Sequence, residues 1–195
     1  MQQAPGLSDA LARRLQILED REAIRETMFA YCRGIDRGDE SQLRSAYWPD
    51  ATDRHGAYQG SAAGFIAHAL PKLGKGRYVH NVANISIQLN GDSAAVESYF
   101  LAYQADEGKD GQWQSTFLCG RYVDRFEARA TAIAAREWRI AERVVAYDWQ
   151  ELYAHPSGTE SERFGLRQPI GSACPGDPWY ALLAKVFGPH AAATA

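Results

Sequence analysis

Cysteine is scarce in this 195-residue chain. Cys32, Cys119 and Cys174 are odd in number, widely spaced and never arranged as CxxC. That argues against a disulfide framework or a cysteine zinc site, and suits reduced thiols in a cytoplasm. The five histidines, His55, His68, His80, His155 and His190, lack HxH or HExxH spacing. No metal is indicated; Asp53 with His55 is at most part of a site. There is no GxGxxG and no P-loop, so no nucleotide cofactor is implied, and none of any kind is expected. Charge of one sign is also lacking: 21 Lys and Arg face 24 Asp and Glu, for a net charge of −3. Nucleic acid and anionic membranes need a concentrated basic surface, so neither is an expected partner. No apolar run approaches the roughly 18 residues of a membrane span. The opening Met-Gln-Gln-Ala-Pro-Gly has no basic and apolar signal regions. A soluble cytoplasmic protein is the expectation.

What is present is a patterned chain with 46% hydrophobic and 23% charged residues, ordinary for a globular domain. Leu7 to about Ile35 is helical, with Leu11, Leu15, Leu18, Ile24, Met28, Tyr31 and Ile35 on one face. The stripe is interrupted across residues 19–22, which predicts a kink or break there. Gly34 and Gly38 mark the end of the helix. Glu40 to Tyr47 reads as a second, short helix, stopped by Trp48-Pro49-Asp50. Asp50 to Tyr58 is a polar first strand, and Gly60 to Leu70 a helix ended by Pro71 and the Gly74-Lys75-Gly76 turn.

The period then changes to two. Four long strands are predicted at Tyr78–Leu89, Ala94–Gln104, Gln112–Glu127 and Glu137–Trp149. Turns fall at Asn90-Gly91-Asp92 and Asp106–Gly111, and an alanine-rich loop at Ala128–Ala135. Helices followed by a long meander give an α+β domain, with N-terminal helices packed on a strongly curved, mostly antiparallel sheet. Strands this long tend to curl into a cone with an internal pocket. Residues 1–152 form that domain. Residues 153–195 read as a C-terminal arm with a short helix and a final apolar patch of Trp179, Tyr180, Leu182, Leu183, Val186 and Phe187, covering the cone or a neighbouring subunit.

Four residues stand out chemically: Tyr31 and Asp36 in AYCRGID, His80 in RYVHNVANI, and Arg143 in WRIAERVVAYDW. Alternation places Ile85 and Ile87 on a packed face and His80 opposite, with Val82 beside it. Arg143 shares a face with Ala141, Val145 and Tyr147. Each residue also has a plain structural reading: a satisfied histidine, a helix-end aspartate, a core tyrosine, a surface arginine. Together they would form a chemical unit. A histidine in an apolar pocket is a base near neutral pH, a carboxylate on its other nitrogen fixes the tautomer, and a phenol and a guanidinium can stabilise developing negative charge.

Those motifs, with LEDREAIRETMFAYCRGIDRGD, YWPDATDRHGAYQG and GRYVDRF, resemble the SnoaL-like branch of the nuclear transport factor 2-like superfamily from about Leu18 to Trp149. Its enzymes include bile-acid 7α-dehydratase, hexachlorocyclohexane dehydrochlorinase and scytalone dehydratase. The resemblance implies a cofactor-independent lyase acting on a small hydrophobic, cyclic substrate. His80 would be the base and Asp36 its partner. Tyr31 matches the tyrosine of the bile-acid enzyme, where the dehydrochlorinase has lysine, and Arg143 matches a last-strand arginine. Asp53 and His55 correspond to cavity-lining positions, and Val82 and Tyr147 fall among the substrate-binding candidates. The second histidine of scytalone dehydratase has no clear counterpart. The resemblance also implies dimers or trimers. It leaves open an isomerase or aldol-type cyclase using the same pair, and a non-catalytic binding or oxygenase-associated subunit.

Overall fold

The computed structural model describes residues 7–73, 75–107, 111–154 and 171–188. Gly74, residues 108–110 of the predicted turn, His155 and His190 lie outside the described residues.

Helix α1 runs unbroken from Leu7 to Arg37. The predicted kink is absent because Asp20, the residue that interrupts the apolar stripe, itself packs inward. Its carboxylate accepts from Trp138 Nε1 at 2.7 Å and Arg136 Nε at 2.8 Å. Burial pushes this carboxyl up, but the donors from Arg136, Trp138 and Gln16 hold it below the usual range. Ile24, Met28, Tyr31 and Ile35 are buried, whereas Leu11, Leu15 and Leu18 are more than half exposed. The first turns of α1 therefore project beyond the surface that the rest of the helix covers.

The helix closes with Asp39 N donating to Gly34 O and Gly38 N to Ile35 O, Gly38 having φ 59°. This is the left-handed C-terminal cap that glycine permits. Asp39 then caps α2 (Glu40–Ser45) by accepting from Gln42 N. Tyr47, expected at the end of that helix, instead opens β1 (Tyr47–His55). The predicted single strand is a hairpin of β1 with β2 (Tyr58–Ser61). Helix α3 (Ala62–Leu73) continues two residues past Pro71. A proline so near a helix end removes one backbone bond and need not stop the helix.

Strands β3 (Arg77–Asn90), β4 (Ser93–Glu107), β5 (Trp113–Arg129) and β6 (Glu137–Ala154) complete a six-stranded sheet of order β2-β1-β6-β5-β4-β3. Only β1 and β6 run parallel. The sheet is curled, its core packed between the inner face and helices α1 and α3. No described helix is long and apolar enough to cross a membrane.

One irregularity decides where the site sits. In β3, Ala83 pairs with Tyr99 and Ser86 with Glu97, so Asn84 and Ile85 together oppose Ser98. Asn84 takes φ 49°. This bulge shifts the alternation by one residue. Before it Tyr78, His80 and Val82 are the covered side chains; after it Ile85, Ile87 and Leu89 are. His80 thus shares the inner face with Ile85 and Ile87, correcting the uninterrupted alternation expected from sequence.

The described part of the C-terminal arm carries α4 (Pro178–Phe187). It grips the α1–α2 turn: Cys174 N donates to Arg37 O at 2.8 Å, and Tyr180 Oη to Asp39 Oδ2 at 2.6 Å. Arg37 and Asp177 form an ion pair at 3.4 Å.

Candidate active site

Asp36 lies in the last turn of α1, and His80 on the sheet's edge strand, β3. An edge strand has backbone donors that no neighbouring strand takes up. Asp36 Oδ2 accepts the His80 backbone N–H at 3.1 Å, and Oδ1 contacts the ring Nδ1 at 2.6 Å. One carboxylate therefore holds one residue at two points. A negative group at a helix C-terminus faces the unfavourable end of the dipole, and the two contacts from His80 offset it. With Nδ1–H directed to Asp36, Nε2 carries the lone pair. The His80 side chain is 8% exposed and that of Asp36 17%. The pair is sheltered without being sealed.

Arg143 lies deeper. Its side chain is wholly buried and joined to Asp124 by Nε–Oδ1 and Nη2–Oδ2 contacts of 2.8 and 2.7 Å. The guanidinium lies in the corner made by the Tyr31 and Tyr122 rings, 4.0 and 4.2 Å from centroids that are themselves 5.5 Å apart and nearly perpendicular. Nη1 reaches Tyr47 Oη at 3.4 Å and Nη2 contacts Met28 Sδ at 3.1 Å. Burial pushes the Asp124 carboxyl up and the guanidinium opposes it. A guanidinium that stabilises developing negative charge directly needs a free donor. Here the donors face protein groups, and the guanidinium lies against the Tyr31 ring. Burial drives the Tyr31 phenol well above its ordinary value, partly countered by Arg143, so it stays a neutral donor.

Asp53 is also fully buried and accepts from Tyr47 Oη at 2.6 Å. His55, two residues on, stacks on Phe65 at 4.3 Å and meets Tyr147 edge-on at 6.1 Å. Burial pushes the Tyr147 hydroxyl up to about 12. Tyr147 meets Phe100 edge-on at 6.1 Å, and Phe100 is the cross-strand partner of Val82. Gly120 makes that wall possible: a Cβ there would stand 2.2 Å from Ala146 O and 3.0 Å from Phe100. Sequence reasoning passed over Asp124 and Tyr47. The signal for Asp124 was the alternation Tyr122, Asp124, Phe126, which puts a carboxylate on an apolar face.

The family model described as SnoaL-like domain matches residues 16–144, well over half of the chain. The chain belongs to the SnoaL-like domain family. No curated protein matches it by sequence. Among solved structures, this SnoaL-like chain is similar to a scytalone dehydratase-like protein of Novosphingobium aromaticivorans (TM-score 0.59, 20% identity, 73% of this chain and 95% of the other). It is similar to the hexachlorocyclohexane dehydrochlorinase of Novosphingobium barchaimii (TM-score 0.58, 20% identity, 75% and 98%). A third likeness is to an NTF2-like protein with a cystatin-like fold from Novosphingobium aromaticivorans (TM-score 0.55, 23% identity, 85% and 100%). At these identities the likeness carries the fold: a SnoaL-like cone of helices and curled sheet.

Proposed function

We propose that this SnoaL-like protein is a cofactor-independent lyase that eliminates water or another leaving group from a small, apolar, cyclic substrate. The observation that carries the reading is the two-point hold of Asp36 on His80. A carboxylate needed only for folding gains nothing by fixing an imidazole tautomer, whereas a base requires it. His80 Nε2 takes a proton from the carbon next to an activating carbonyl. Asp36 stabilises the imidazolium that forms, and the neutral Tyr31 hydroxyl supports the developing oxyanion. Arg143 is a positioning residue, holding Tyr31 through its ring face. Of the enzyme names among the structural neighbours, a dehydratase and a dehydrochlorinase denote eliminations, which supports this choice, and a third is an aromatic ring hydroxylase.

The test is turnover of a panel of cyclic β-hydroxy ketones by the wild type, His80→Ala and Asp36→Asn, with folding checked by circular dichroism. The expected loss for His80→Ala is about 10²–10⁴-fold, the usual worth of a positioned base. Undiminished rates in both variants would overturn the reading. Product mass separates elimination, which loses water, from isomerisation or cyclisation by the same pair, which loses nothing.

A further inference from the structure

Strand β1 carries a second carboxylate–imidazole pair that the reaction above leaves idle. Asp53 Oδ2 is occupied by Tyr47, but Oδ1 is buried without a hydrogen bond, and so is His55 Nδ1. The two unpartnered atoms lie 3.5 Å apart. Buried polar atoms rarely go unpaired, and these two stand just beyond ordinary hydrogen-bond length of one another.

The charges around them agree. Arg143 pairs in register with both Asp53 and Asp124, yet its fork is taken by Asp124. One guanidinium thus stands against two buried carboxylates, and an unbalanced buried charge is costly. The electrostatic influence of His55 does reach Asp124, easing its carboxyl downward where Asp53 pushes it up.

With Nδ1 turned to Asp53, Nε2 is the edge left for a ligand, and the His55 side chain is 20% exposed. The ring joins a continuous wall: His55 to Tyr147, Tyr147 to Phe100, and Phe100 across to Val82, two residues from His80. A run of ring and cross-strand contacts thus leads from His55 toward the part of β3 that carries His80.

We propose that Asp53–His55 is the proton-donating partner of the Asp36–His80 base, acting on a cyclic β-hydroxy ketone laid along that wall. The proposal rests on the elimination reading. His80 Nε2 accepts the proton from the carbon beside the carbonyl, and the C–H electron pair becomes the new C=C bond. The C–O bond breaks, and its oxygen takes the proton from His55 Nε2 to leave as water. His55 ends neutral and His80 protonated, and exchange with solvent returns both to their starting states.

Two measurements test this on the full-length protein. In ¹⁵N-imidazole NMR, Asp53→Asn should shift the His55 nitrogens and leave those of His80 in place, and Asp36→Asn should do the reverse. His55 signals unmoved by Asp53→Asn overturn the pairing. The second compares 3-hydroxycyclohexanone with 3-acetoxycyclohexanone, whose acetate departs without a proton. His55→Gln should lower kcat on the hydroxy ketone by about 10²-fold, the lower range for a positioned acid, with a much smaller loss on the acetoxy ketone. Asp53→Asn, which keeps the ring and its stacking, should show the same selectivity more weakly. Equal losses on both ketones, or wild-type turnover of neither, overturn the acid role. His80→Ala should abolish both reactions; if it spares them while His55→Gln does not, the base assignment fails and the acid assignment stands.

Discussion

Two carboxylate–histidine pairs in one molecule differ by less than an ångström in separation and by much more in construction. Asp36 and His80 come from a helix end and an edge strand 44 positions apart in the chain, and meet at 2.6 Å. Asp53 and His55 are alternate residues of a single strand, and stop at 3.5 Å. Alternate side chains on a strand stand roughly parallel, about 6.5–7 Å apart at their Cα atoms, so a short carboxylate and a ring there approach side by side. Elements that cross can bring two groups head-on, and only the crossing pair adds a backbone hydrogen bond at 3.1 Å. Tertiary crossing produces a closed pair and local spacing an open one. The open pair is the more easily altered by what lies beside it.

The strongest way to break the comparison is a double-mutant cycle of Asp36→Asn and Asp53→Asn on 3-hydroxycyclohexanone. If the pairs handle separate protons, the double variant's loss should equal the product of the single losses, with Asp36→Asn contributing about 10²-fold or more. A double variant no slower than Asp36→Asn alone would merge the two into one functional unit.

Next in size is the buried ion pair between them. Arg143→Met leaves Asp124 charged and alone, and should cost about 3–5 kcal/mol in urea unfolding. Arg143→Met with Asp124→Leu should recover most of that stability. The recovered fold should lack activity if Arg143 is needed to position Tyr31.

A smaller effect is expected at the bulge that sets the position of His80. Asn84→Val forces a branched side chain into the left-handed region, for about 1–2 kcal/mol, whereas Asn84→Gly should be near neutral. The ¹⁵N signals of His80 should move in the first variant and not in the second.

The smallest concerns Asp20, far from both pairs. Its folded carboxyl titrates below the ordinary value, so its stabilisation is present above about pH 3.9 and is lost as pH falls through the lowered folded value. The margin in melting temperature of wild type over Asp20→Asn should therefore shrink on going from pH 6 to pH 3. A margin that grows on acidification would reverse the assignment.

The elements themselves were legible because their periods are strong. The long helix and the four long strands fall close to where alternation and helical spacing put them. Failures occurred where one residue carried two instructions. Asp20 looks like a break in an apolar stripe, but its carboxylate satisfies a buried tryptophan. The β3 alternation looks continuous because nothing in Ala83-Asn84-Ile85 announces an extra residue, although Asn is among the few side chains that tolerate a positive φ. Asp36 and His80 could be named from resemblance, but spacing could not bring together two residues so far apart. Arg143 was found without the company that defines it, since Asp124 and Tyr47 are contributed by other strands.

The bulge at Asn84 and Ile85 has an evolutionary consequence. It divides β3 into a half that presents His80 and a half that packs, each with its own phase. Removing one residue there would turn His80 toward solvent while Ile87 and Leu89 keep their seats. Restoring it would bring the histidine back. A lineage carrying this strand can therefore gain or lose its chemistry through a single-codon insertion or deletion, without disturbing the residues on which its foldedness depends.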